Sequence, residues 1–154
     1  MTERTAAGDT HVVGVFQDVA WAERGVAALV ADGFAPSAIT VVAARSGDAE
    51  RLIRETIGIE PHLIEVKSLG PCVAAGPLLS TLKGTDDGLT STGLAAVFNR
   101  AGFQKHDGYI FEQLVRRGGV LVAVVSEPRA ADALAKLHSY GAGNAAIGAW
   151  AGRV

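Results

Sequence analysis

A single cysteine, Cys72, is the only thiol in the 154-residue sequence. That excludes a disulfide within the chain and any metal site built on paired cysteines of one chain. It agrees with a reducing cytoplasm. An excess of charge of one sign is also missing, because 14 basic residues stand against 16 acidic ones and leave a net charge of -2. Such a balance supplies no global field to draw the chain onto nucleic acid or an anionic membrane. The densest basic spot, VRRGG at 115–119, reads as a solvated helix end. Long apolar runs are lacking as well. GVLVAVVS at 119–126 has the length of a strand, well short of the roughly 20 residues that cross a bilayer. MTERTAAGDTH at the start has no apolar core, so no signal peptide is expected. Residues 1–10 read as a disordered tail and the protein as cytoplasmic.

Catalytic signatures are equally sparse. There is no G-x-S-x-G elbow and no phosphate-binding P-loop. The four histidines, His11, His62, His106 and His138, fall on different expected elements. None has the two-ligand spacing of a helical metal site, so neither metal nor cofactor is expected. GAGNAAIG from Gly141 contains G-x-G, but it follows a helix and precedes a strand, the reverse of a dinucleotide site. Asp86 and Asp87 lie between Gly84 and Gly88 in LKGTDDGLTS, which reads as a flexible polar loop. Acid–base carboxylates need a pocket that shifts their pKa values, so these two read as solvated charges.

What the chain does have is apolar material, 49% hydrophobic against 19% charged, enough for one domain over 11–154 with a real core. Its ends also repeat one another. Residues 12–44 align without gaps on 120–152, with Val12 on Val120, Ala22 on Ala130, Ala27 on Ala135 and Leu29 on Leu137. Gly33 then falls on Gly141, Ala38 on Ala146, Ile39 on Ile147 and Ala43 on Ala151. Each copy opens with a β-branched run, HVVGVF or GVLVAVV, that reads as a buried strand.

A helix follows in each. Asp18 can cap the first, with Ala22, Val26, Leu29 and Val30 on one face. Pro128 suits the first turn of the second, with Ala130, Leu134 and Leu137 on its face. Gly33 and Gly141 suit left-handed caps, and AITVVAA and AAIGAWA read as second strands.

Two such βαβ units, 11–44 and 119–152, predict an α+β sandwich. The expected form is a ferredoxin-like pair with helices on one face of a four-stranded antiparallel sheet. The insertion, 45–118, reads as a short helix with Ile53 and Ile57 on one face, then the alternating strand HLIEVKSL. Two more helices are expected over LTSTGLAAVFNRAG and HDGYIFEQLVRRG. The sheet's second face must be covered by the insertion or by another subunit.

The order of pieces VVGVFQD, AERGVAALVADGF, ITVVA, GPCVAAGPLLSTL, a helix ending AGF, then YIFEQLVRRGGVLVAVV resembles bacterial general stress proteins of the heat-induced YflT type. The most specific pieces are AAGPL at 74–78 and RRGGVLVAVV at 116–125. Relatives carry a longer glycine-rich apolar hairpin before AAGPL, where this chain has VKSLGPCV. The resemblance implies a stress-associated protein with no established reaction.

Two groups of residues stand out as candidate sites. SLGPCVAAGPLLSTLKG at 68–84 holds two Gly-Pro steps around Cys72. Gly70-Pro71 can begin a strand, and Gly76-Pro77 can end one and open a helix whose free N–H groups would suit an anion. The bland reading is a pair of sharp turns in a core, with Cys72 an ordinary buried thiol. The site reading is a small-molecule pocket at Gly70, Pro71, Cys72, Gly76, Pro77 and Leu78. Aromatics make up 6% of the chain, and Trp150, Tyr109 and Phe111 are the candidate interface, with Trp21 the other notable ring. The expected function is therefore a non-enzymatic stress protein acting through self-association, a dimer first, by the open face or edge of its sheet. The alternative is a sensor or carrier holding a small ligand between sheet and insertion near 70–78.

Overall fold

The computed structural model describes residues 10–101, 103–125, 129–140 and 146–149. Most of the expected tail lies outside them, and Thr10 already opens the first strand. In chain order the elements begin β1 (Thr10–Phe16), α1 (Val19–Ala31), β2 (Ile39–Ala44) and α2 (Gly47–Leu52), which a π-helical turn continues over Ile53–Ile57. The insertion adds β3 (His62–Val66), β4 (Gly70–Ala75), α3 (Leu78–Lys83), α4 (Gly88–Ser91), α5 (Leu94–Arg100) and α6 (Lys105–Arg116). The second repeat closes with β5 (Val120–Val125), α7 (Ala130–Ser139) and β6 (Ala146–Ala149).

The local signals act as read. The Asp18 carboxylate accepts from Trp21 N–H at 2.9 Å and starts α1. At its other end Gly33 takes φ +99 while Phe34 N–H reaches back to Leu29 C=O at 3.0 Å, a left-handed close. Ile53 and Ile57 are both buried. The face expected on α7 is partly outside the described side chains, since Ala130 is among those left out, but Leu137 is buried beside Ala133. Gly141, with most of GAGNAAIG, also lies outside the described residues.

The sheet is larger than the repeats predict. It has six strands in the order β3-β4-β2-β5-β1-β6, every neighbouring pair antiparallel. The repeat strands run β2-β5-β1-β6 within it, so β5 lies between the two strands of the first repeat and β1 between the two strands of the second. Insertion strand β4 then pairs along the free side of β2, Val42 opposite Ala74, and β3 pairs along β4. A hydrogen-bonding edge that two βαβ units leave bare is thereby occupied, which periodicity along the chain does not report.

Helices lie on both faces. Val120, Val122 and Val124 of β5 point with Val12, Phe16 and Val73 to the side packed by α1, α2 and α7. Leu121 and Ala123 point with Val13, Val42 and Cys72 to the side packed by α3, α5 and α6. Five successive β5 residues are fully buried, and a buried Val or Leu contributes roughly 1.5–3 kcal/mol, so this strand anchors both layers. The insertion itself covers the second face.

Two further expectations change inside the insertion. LTSTGLAAVFNRAG is two helices rather than one, because Gly93 takes φ +104 between α4 and α5. The segment ahead of it is tethered: Arg100 Nη1 donates to both Asp86 carboxylate oxygens, at 3.2 and 3.0 Å. Asp86 is thus half of an ion pair across the loop instead of a purely solvated charge.

Candidate functional site

The two Gly-Pro steps are turns at opposite ends of β4. Six residues at about 3.4 Å each separate them by roughly 20 Å, so they do not share a site. Gly76 takes φ +124, and a Cβ there would overlap the Ile39 carbonyl and Thr40 of the neighbouring strand. Only glycine lets the two backbones approach so closely. Leu78 N–H donates to Thr40 Oγ1 at 2.9 Å in a buried contact, and Leu79 N–H bonds Gly76 C=O at 3.2 Å. Two of the donors that the start of α3 could offer to an anion, the N–H groups of Leu78 and Leu79, are therefore spent inside the protein.

Cys72 is fully buried, opposite Ala44 and Ile64 in the sheet. Burial, with the Glu65 charge adding to it, pushes its thiol up to about 11. A thiol held there is protonated at neutral pH and a poor nucleophile. Leu78 is buried in the same layer, while Gly70 and Pro71 sit at the far turn.

Of the six candidate pocket residues, two, Gly76 and Pro77, line a cleft of about 580 Å³ to which the other four do not contribute. Its other walls come from the 3₁₀ turn after α1 (Pro36, Ser37), from Ile39, and from Ile57, Ile59 and His62 of the insertion. The cleft is open and mostly apolar. It lies between the sheet's end and the insertion, and neither Cys72 nor Leu78 lines it.

Of the interface candidates, Tyr109 and Phe111 do not share a surface. Tyr109 stands exposed on α6. Phe111, two positions on, is buried in an edge-to-face cluster with Phe98 and Phe103 at centroid distances of 5.3 and 6.2 Å. It is core, not surface. Trp150 lies outside the described residues.

Besides Tyr109, and Trp21 and Val30 on α1, the exposed large apolar side chains lie at the sheet margin beside the cleft. Leu63 on β3 is 60% exposed and Ile59 just before it is 45% exposed. Glu60 beside Ile59 takes a forked grip from Arg54, Nη2 to Oε2 at 2.9 Å and Nε to Oε1 at 3.3 Å. That hydrogen bond holds Glu60 below the usual carboxylate range and Arg54 above its own. β3 has β4 as its one strand neighbour among the described residues. Its second half is closed on the outer side by α4: Thr90 Oγ1 donates to Glu65 C=O at 2.7 Å, and Lys67 N–H donates to Leu89 C=O at 3.0 Å. On that outer side the first half, around Leu63, has no strand beside it among the described residues. The alternation of HLIEV separates Leu63 from Ile64 and Val66 but does not tell which side a helix covers, so the sequence does not mark Leu63 as exposed.

Among the described residues no group of three His, Cys, Asp or Glu side chains is placed to hold a metal ion. No described helix is long and apolar enough to cross a membrane. The chain matches no protein-family model, no curated protein and no solved structure.

Proposed function

We propose that this chain is a non-enzymatic, stress-associated cytoplasmic protein that acts by docking protein at the apolar margin of its sheet, on a ferredoxin-like scaffold. One observation carries the reading: Leu63, 60% exposed, sits on an edge strand next to exposed Ile59 and an apolar cleft. The chain's own helices pack both faces of the sheet but leave Leu63 uncovered on β3, an edge strand, and this margin is the place for association. An edge strand with an uncovered apolar side chain is an invitation to strand addition, and soluble proteins usually blunt such edges. The resemblance to heat-induced stress proteins supplies the biological setting.

The test is site-specific photo-crosslinking in heat-stressed host cells. A photoreactive residue at position 63 should give protein adducts that the same residue at exposed Ala96, on α5, does not. Equal yields at the two positions would remove the reading.

The small-ligand alternative draws on the cleft at Gly76 and Pro77, whose 580 Å³ falls in the usual range for ligand sites. It predicts a non-protein mass on the gently purified protein in native mass spectrometry, lost in His62→Ala. A clean polypeptide mass would count against it.

A further inference from the structure

Building on that association reading, we infer that the partner at β3 is a second copy of this chain, with the two β3 strands paired antiparallel across a two-fold axis near Leu63. The case rests on which backbone groups the edge leaves over. Arg45 N–H donates to Pro71 C=O at 3.0 Å, so residues 71, 73 and 75 of β4 turn their backbone groups toward β2. Cys72 and Ala74 therefore turn theirs toward β3. Their partners His62 and Ile64 bond inward. The alternation aims Leu63 and Glu65 outward.

Glu65 C=O is taken by Thr90, and Lys67 N–H by Leu89. Among the described residues, what is left on the outer edge is the N–H and C=O of Leu63, the N–H of Glu65 and the C=O of Pro61. A two-fold at Leu63 sets Leu63 opposite itself and Glu65 opposite Pro61 of the copy. The Leu63 groups then satisfy each other in both directions. Glu65 N–H faces the Pro61 carbonyl. Proline has no N–H to give back, and the carbonyl it would have served, that of Glu65, already has Thr90. Donors and acceptors therefore close on themselves, as an isologous interface requires. The same axis brings the two exposed Leu63 side chains together, while α4 stops the pairing from running further along β3.

Sedimentation velocity of the purified full chain over the micromolar range tests this, with Leu63→Pro and Leu63→Lys as variants. Leu63→Pro removes an N–H that points away from β4, so the intramolecular ladder stays intact; Leu63→Lys places the usual guard charge on the edge. The wild type should sediment as a dimer. Each variant that keeps the wild-type circular dichroism spectrum should dissociate at least about tenfold more readily. A monomeric wild type, or a dimer that a folded variant leaves intact, overturns the inference. A monomer in solution alongside adducts from position 63 in cells would mean that the margin docks a different protein. The association reading would then stand without the second copy.

Discussion

Thr40, the second residue of β2, accepts a hydrogen bond through Oγ1 from the N–H of Leu78, the first residue of α3, at 2.9 Å. The contact joins the first repeat to the insertion across 38 positions of sequence. It turns the second Gly-Pro step from a candidate anion site into a capped helix start. Replacing Thr40 by Val keeps the shape and strands a buried N–H, which costs about 1–3 kcal/mol. Urea titration should show that loss in Thr40→Val, and no more than about 1 kcal/mol in Thr40→Ser, which keeps the hydroxyl. Equal stability of Thr40→Val and wild type would deny the cap any role.

Gly76 and Gly58 make a controlled pair. Both have positive φ, +124 and +83, but a Cβ at Gly76 meets Ile39 and Thr40 whereas one at Gly58 meets nothing within 4 Å. Gly58→Ala should cost about 1–2 kcal/mol from backbone strain alone. Gly76→Ala should cost more than about 4 kcal/mol, the size reserved for a broken core contact. Thermal melts rank the two. Similar losses would mean that the approach of β4 to β2 is not tight.

A second long-range cap holds α5, where Glu112 Oε1 accepts from Ala95 N–H at 2.9 Å with Arg116 3.5 Å away. Glu112→Ala should lose about 1–2 kcal/mol and Glu112→Gln, still an acceptor, less. Hydrogen exchange offers a local readout, faster at Ala95 in the alanine variant.

Cys72 gives a pH signature. Its ordinary value of 9.0 is pushed up to about 11 in the fold. The unfolded chain therefore loses this proton first. Stability contributed by the neutral buried thiol is intact below pH 9, falls as pH rises from there, and levels off near the folded value. Cys72→Ala should flatten that part of the stability–pH curve. At neutral pH a disulfide reagent should label the native thiol far more slowly than the thiol in urea.

Much of this fold is legible in short windows of sequence. The Asp18 cap, the Gly33 close, the β5 run and the breaks at Gly70-Pro71 and Gly76-Pro77 all follow from chemistry within a few residues. What is illegible depends on partners far away. β4 joins the sheet because β2 has a bare edge, Thr40 and Glu112 cap helices that other segments supply, and Arg100 ties down Asp86 from α5, beyond the intervening α4. Phe111 shows the same limit: helix spacing puts it on a face, and only the neighbouring Phe98 and Phe103 decide that this face is inside. The candidate site suffers most. Proximity in sequence grouped Gly70 to Leu78, whereas the cleft draws Pro36, Ser37, Ile57, Ile59 and His62 from two segments around Gly76 and Pro77.

The most direct test of the account is recovery of the host from heat shock when its own copy carries Leu63→Lys. Substitution at a 60% exposed side chain leaves the core untouched, so the protein should accumulate normally. The account predicts a defect as deep as that of a strain lacking the gene. Recovery indistinguishable from wild type, in a background where the deletion recovers poorly, would contradict it and move the working surface away from β3.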